Sequence, residues 1–136
     1  MHDLRNFTQY LTQHEIEALV QDLGRRINID YADRQVVLVA VLKGGFMFLA
    51  DLARELEMPH EVEFVRLSSY GKGKASTGTV SLIKDIQTDI RGKHVLIVEE
   101  IIDSGRTLKF LYERLQRAEP ASVEIVTLLD KPARRV

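Results

Sequence analysis

An α/β fold, with a mainly parallel central sheet and helices on both faces, is predicted by three features of the 136-residue sequence. Short β-branched runs alternate with stretches of helical periodicity. The run 36–42, VVLVAVL, is apolar on both faces, as a central strand of a parallel sheet should be. Polar segments at 43–45, 68–70, 99–107 and 130–135 each follow a predicted strand, where such sheets hold their ligands. No internal repeat, low-complexity tract or Ser/Gly linker divides the chain, so residues 1–136 read as a single domain.

The elements follow in order. Thr12-Gln13-His14-Glu15 is a capping-box pattern, and Ile16, Leu19, Val20, Leu23 and Ile27 follow at helical spacing, which predicts an amphipathic helix over about 13–27. The strand at 36–42 is broken by Lys43-Gly44-Gly45. Phe46, Leu49, Ala50, Ala53 and Leu56 then continue as a helix that stops before Pro59. Residues 61–67 alternate as a strand. The stretch 68–79, SSYGKGKASTGT, is glycine-rich and almost without apolar side chains, so it reads as a long loop of the kind that carries function or stays disordered. A strand over about 80–84, a turn at Arg91-Gly92-Lys93 and a buried strand at 94–98 (HVLIV) come next. Leu108, Leu111 and Leu115 mark a helix ending before Pro120, and 122–129 (SVEIVTLL) make a last strand.

Composition narrows the function classes. A net charge of −1 favours neither nucleic acid nor an anionic membrane surface as a partner. No apolar run approaches the roughly 18–20 residues that span a bilayer, and the N-terminus MHDLRNFTQY has no apolar signal-peptide core. The absence of cysteine excludes disulfides, thiolate catalysis and zinc–cysteine sites, and fits a cytoplasmic location. His2, His14, His60 and His94 are scattered without metal-ligand spacing.

Chemistry concentrates in residues 95–107, VLIVEEIIDSGRT. A buried strand delivers Glu99 and Glu100, Asp103 follows, and a small Ser104-Gly105 turn opens a helix at Arg106 and Thr107. Such a turn can aim several backbone N–H groups and the positive end of the helix dipole at one anion. Three acids beside a phosphate cradle suit a phosphorylated sugar, whose hydroxyls and metal the acids can hold. A serine-capped βα turn with solvated acids suits the same residues, and the chemistry alone leaves both readings open.

The order of this run resembles the phosphoribosyl pyrophosphate signature of type I phosphoribosyltransferases: four apolar residues, two acids, two apolar residues, then Asp-Ser/Thr-Gly-x-Thr. Leu42 to Leu52, LKGGFMFLADL, is similar to the first active-site loop of the hypoxanthine-guanine branch of that family. The resemblance implies that Lys43 and Gly44 receive pyrophosphate through backbone that often contains a cis peptide. It assigns the 5′-phosphate to Ser104, Gly105, Arg106 and Thr107, and ribose and Mg2+ contacts to Glu99 and Glu100. Asp103 becomes the general base, also counted among the nucleotide-binding residues. Ser69 and Tyr70 open a loop similar to the family's mobile catalytic loop, which shields a cationic ribosyl group from water. Leu128-Leu129-Asp130-Lys131-Pro132 resembles the segment with the purine-reading lysine. An ammonium only donates hydrogen bonds, so Lys131 would select a 6-oxopurine. Arg135 falls where the family often has a site arginine.

The implied activity is purine salvage: transfer of a phosphoribosyl group from phosphoribosyl pyrophosphate to hypoxanthine or guanine, by a homodimer or homotetramer. A non-catalytic nucleotide-binding regulator on the same fold, or an inactive shortened form, are the alternatives. Two departures from the family pattern stand out. Glu100 occupies a position that is normally Asp, which keeps the charge but moves the carboxylate outward. The family pattern also continues past Lys131 with a further strand, a purine-stacking aromatic and a metal-binding Asp. These C-terminal elements are expected to be missing from the domain, and with them the residues that would rank hypoxanthine, guanine and xanthine.

Overall fold

The computed structural model describes residues 11–69, 80–102 and 105–130. Eight elements follow one another: α1 (Gln13–Asp30), β1 (Val36–Val41), α2 (Phe46–Glu55), β2 (His60–Ser69), β3 (Val80–Lys84), β4 (His94–Ile102), α3 (Arg106–Gln116) and β5 (Ser122–Asp130). They build a five-stranded sheet of order β3-β2-β1-β4-β5. β2, β1, β4 and β5 are mutually parallel, and β3 runs antiparallel to β2 at one edge.

Alternation along the strands divides the core into two layers. Val36, Leu38 and Ala40 of β1 and Leu96 and Val98 of β4 pack against Val20 and Ile27 of α1 and Phe48, Leu49 and Leu52 of α2. Val37 and Val39, with Val95 and Ile97, face the opposite way and meet Leu108, Leu111 and Leu115 of α3. Helices therefore cover both faces, as the doubly apolar run at 36–42 predicts. Each such buried Val, Leu, Ile or Phe side chain contributes about 1.5–3 kcal/mol.

The capping box forms as its sequence implies. Thr12 Oγ1 accepts from the Glu15 N–H at 3.1 Å, and Glu15 Oε1 accepts from the Thr12 N–H at 3.2 Å. α1 extends one turn further than its apolar spacing predicts, to Asp30. A tertiary tie accounts for this: Asn28 donates from Nδ2 to the Glu55 carbonyl at 3.0 Å and accepts the Glu57 N–H on Oδ1 at 2.8 Å. That side chain closes the C-terminal end of α2 from a neighbouring helix. At Gly24 the helices touch, since a side-chain carbon there would lie 2.5 Å from Glu55 Cβ. Together these contacts hold the C-terminal end of α2, the end away from the site.

β4 is also longer than the predicted 94–98. Backbone pairing with β5 continues through Ile101↔Leu129 and Ile102↔Asp130, regardless of the polar side chains on the way. Glu99 and Glu100 are thus strand residues and not part of the turn. On the far edge, Glu63 Oε2 accepts from the N–H groups of Gln87 and Thr88 (3.0 and 2.7 Å) and from Thr88 Oγ1 (2.6 Å). An Arg114–Asp85 ion pair ties the same connection to α3. Among the described residues no helix is long and apolar enough to cross a membrane.

Candidate active site

β1 lies at the centre of the sheet. The chain leaves it through α2 toward β2 on one side, while β4 and α3 lie on the other. Connections diverge here, so a crevice opens above the carboxyl ends of β1 and β4, the usual ligand position in such sheets. The turn Leu42–Gly45 enters it from β1. The end of β4 and the start of α3 enter it from the other side.

In the first segment, the Leu42 N–H continues the ladder to the Val65 carbonyl at 2.8 Å. The Leu42–Lys43 peptide is cis. Gly45 N–H returns to the Val41 carbonyl at 3.0 Å, and Phe46 N–H to that of Lys43 at 3.3 Å. Lys43 and Gly44 are exposed, whereas Gly45 is buried. A side-chain carbon at Gly44 would meet nothing within 4 Å. The backbone at Lys43-Gly44 is therefore open to a ligand.

The second segment brings the acids. Because Val95 and Ile97 face α3 while Leu96 and Val98 face α1 and α2, alternation sends Glu99 toward the α3 side and Glu100 to the opposite one. Adjacent in sequence, the two acids leave opposite faces and flank the end of the strand. Glu99 is half-buried and Glu100 exposed. Burial pushes the Glu99 carboxyl up to about 7; the Glu100 charge adds to the rise, and the Glu100 N–H partly opposes it. Thr127, the register partner of Glu99 on β5, donates from Oγ1 to the Leu129 carbonyl at 2.9 Å and lies 3.3 Å from that of Glu100. This hydroxyl joins the two strand ends beneath the acids, and nothing in the sequence singles it out.

Gly105 has φ +87° and ψ −8°, a left-handed conformation that glycine adopts without steric cost. It caps α3 without a side chain, and its carbonyl accepts from the Lys109 N–H at 2.9 Å. Arg106 and Thr107 form the first turn of α3, so the positive end of the helix dipole lies at the same end of the sheet as Glu99 and Glu100. This arrangement can bind a phosphate at the helix start and hydroxyls or a cation at the carboxylates.

Ser69 is the last residue of β2. Tyr70, Asp103, Ser104, Lys131 and Arg135 lie outside the described residues. Among the described residues, no group of three or more His, Asp or Glu gathers as a metal cluster. Gly45, like Thr127, carries no mark of its own in the sequence, where it stands only as part of the Lys43-Gly44-Gly45 strand break.

Comparison with known proteins places this geometry in context. The phosphoribosyl transferase domain model matches residues 6–136. Hypoxanthine phosphoribosyltransferase of Salmonella typhimurium is 53% identical over 127 residues, which cover 92% of this chain and 71% of that protein. The Escherichia coli protein of the same name is 52% identical over the same shares. Among solved structures, a hypoxanthine phosphoribosyltransferase from Staphylococcus aureus superposes with a TM-score of 0.89 at 42% identity, covering 94% of this chain and 70% of that one. A hypoxanthine-guanine phosphoribosyltransferase from Bacillus anthracis gives 0.88 at 40% identity, covering 95% and 76%.

Proposed function

The chain belongs to the phosphoribosyltransferase family, and on that premise we propose that it is a purine-salvage enzyme transferring the 5-phosphoribosyl group from phosphoribosyl pyrophosphate to hypoxanthine or guanine. The products are IMP or GMP and pyrophosphate. One observation supports this reading above the others: the Lys43-Gly44 backbone, the end of β4 at Glu99-Glu100 and the start of α3 at Arg106, far apart in sequence, lie at the same end of the sheet, at its switch point.

In this reaction the bond between ribose C1′ and the pyrophosphate oxygen breaks as N9 of the base bonds to C1′. The purine must lose a proton, which Asp103 accepts from N7 as general base. Such a role is worth roughly 10²–10⁴ in rate. Exposed backbone at Lys43 and Gly44 receives the departing pyrophosphate. The 5′-phosphate rests on backbone N–H groups from Ser104 through Thr107, where the left-handed Gly105 leaves room and the dipole of α3 favours the charge. Glu99 and Glu100 accept hydrogen bonds from the ribose hydroxyls, one from each side of the strand end.

The donor chemistry fits magnesium, since both side chains offer hard carboxylate oxygens and burial leaves Glu99 poorly solvated as an anion. When bound, Mg2+ neutralises the pyrophosphate charge; Glu99 and Glu100 are the residues that would hold it beside the substrate. Ser69 and Tyr70 begin the loop that excludes water from the reacting centre. The Lys131 ammonium donates to the 6-oxo group of the base and leaves the amino group of adenine unmatched. Arg135 serves as the family's site arginine, and the active form is a homodimer or homotetramer in the cytoplasm.

The test is a spectrophotometric assay with phosphoribosyl pyrophosphate, magnesium and either hypoxanthine or guanine. Formation of the corresponding monophosphate is expected. A folded protein that makes neither product, and that does not bind phosphoribosyl pyrophosphate, would falsify the reading.

A further inference from the structure

Lys43-Gly44-Gly45 sets two glycines side by side whose surroundings differ. Gly44 has open space around it, while a side-chain carbon at Gly45 would lie 3.0 Å from the Val98 carbonyl oxygen, 3.2 Å from that of Val41 and 3.5 Å from Ala40 Cβ. The first two neighbours are backbone atoms of central strands. Val98 is held on one side by Ala40 of β1 and on the other by Val126 of β5, so its carbonyl cannot swing aside as a side chain would. Conformation does not require glycine here. At φ −84° and ψ −7° the residue is in the right-handed region open to any amino acid. Space is what favours it.

That space has a functional address. Gly45 is tied to β1 by its N–H to Val41, and its carbonyl accepts from the Leu49 N–H at 2.9 Å in the first turn of α2. Val98 immediately precedes Glu99. The missing side chain at position 45 therefore sets how closely the Lys43–Gly44 turn approaches the end of β4.

We infer that Gly45 is a positioning residue that fixes the distance between the pyrophosphate-binding turn and the acids that hold the ribose. The inference rests on the proposed reaction, in which the bond that breaks lies between those two sets of contacts. An error in the gap is transmitted to that bond, and a misplacement of about 1 Å can cost on the order of 10²-fold in rate. A methyl group at position 45 requires its neighbours to move by a few tenths of an ångström, and a branched side chain requires more.

The experiment compares Gly45→Ala and Gly45→Val with the native protein, and uses Asn28→Ala as a control that loosens the α1–α2 contact away from the crevice. Backbone amide NMR of the free proteins is recorded first, followed by KM for each substrate and kcat. For Gly45→Ala the amide signals of Lys43, Gly44, Glu99 and Glu100 should shift, and KM for phosphoribosyl pyrophosphate should rise roughly 3–10-fold while KM for hypoxanthine stays within about twofold. Gly45→Val, where folded, should lose about 10²-fold in kcat/KM for phosphoribosyl pyrophosphate. Asn28→Ala should leave both KM values in place. The inference is overturned if Gly45→Ala leaves the Glu99 and Glu100 signals unmoved. It is overturned equally if KM for the two substrates changes in parallel. Native protein that makes no nucleotide defeats the functional reading instead, and the amide shifts alone then decide whether Gly45 sets the gap.

Discussion

Glu99 offers the sharpest test of the site's electrostatics, because its burial has a thermodynamic consequence that is measurable without substrate. Its carboxyl is raised from 4.5 to about 7, chiefly by burial. At roughly 1.4 kcal/mol per tenfold change in proton affinity, that difference corresponds to about 3 kcal/mol, and partial exposure of the side chain reduces it to about 1–3 kcal/mol. The sign follows from proton binding. Between pH 4.5 and 7 the unfolded chain has released this proton while the folded chain still holds it. Stability therefore falls as pH rises through that window and levels off above it. Glu99→Gln is neutral at every pH and lacks this slope. Relative to the native protein, the variant should be about equally stable near pH 4.5 and gain about 1–3 kcal/mol at pH 8. Urea unfolding of both proteins across that range, in buffers free of divalent cations, measures the difference. Parallel pH profiles for the two proteins would show that Glu99 ionises freely in the folded state, and the reasoning from burial would then be wrong.

Other expectations follow from the same geometry. Asp103→Asn should lower turnover by roughly 10²–10⁴-fold with little change in affinity for phosphoribosyl pyrophosphate, as measured by steady-state kinetics and equilibrium binding. Gly105→Val should abolish detectable binding of the nucleoside monophosphate by calorimetric titration, since a branched side chain both fills the phosphate's space and is strained at φ +87°; circular dichroism should still report a folded protein, and unchanged affinity would exclude the cradle. Asn28→Ala removes two hydrogen bonds to the end of α2 and should cost about 1–3 kcal/mol in urea unfolding, with the N–H of Glu57 losing its acceptor.

Much of this molecule is local in origin and could be read from neighbouring residues. The Thr12–Glu15 box needs only four residues to start α1, and VVLVAVL needs only its own composition to require cover on both faces. The VLIVEEIIDSGRT run shows its strand, its acids and its helix start within thirteen positions, because a strand end and the helix start that follows it are built from consecutive backbone groups. The tertiary structure decided what depends on contacts between distant segments. Strand order put the turn after β1 beside the end of β4, and pairing with β5 drew Glu99 and Glu100 into the strand and onto opposite faces. Burial, which no single-residue property encodes, raised the Glu99 carboxyl. Asn28 and Thr127 acquired their roles from carbonyls on other elements, so nothing near them in sequence marks them. Gly44 and Gly45 are identical letters in one turn. The carbonyls of Val41 and of Val98, the latter 53 residues further along the chain, leave a side chain at the second one less room than at the first.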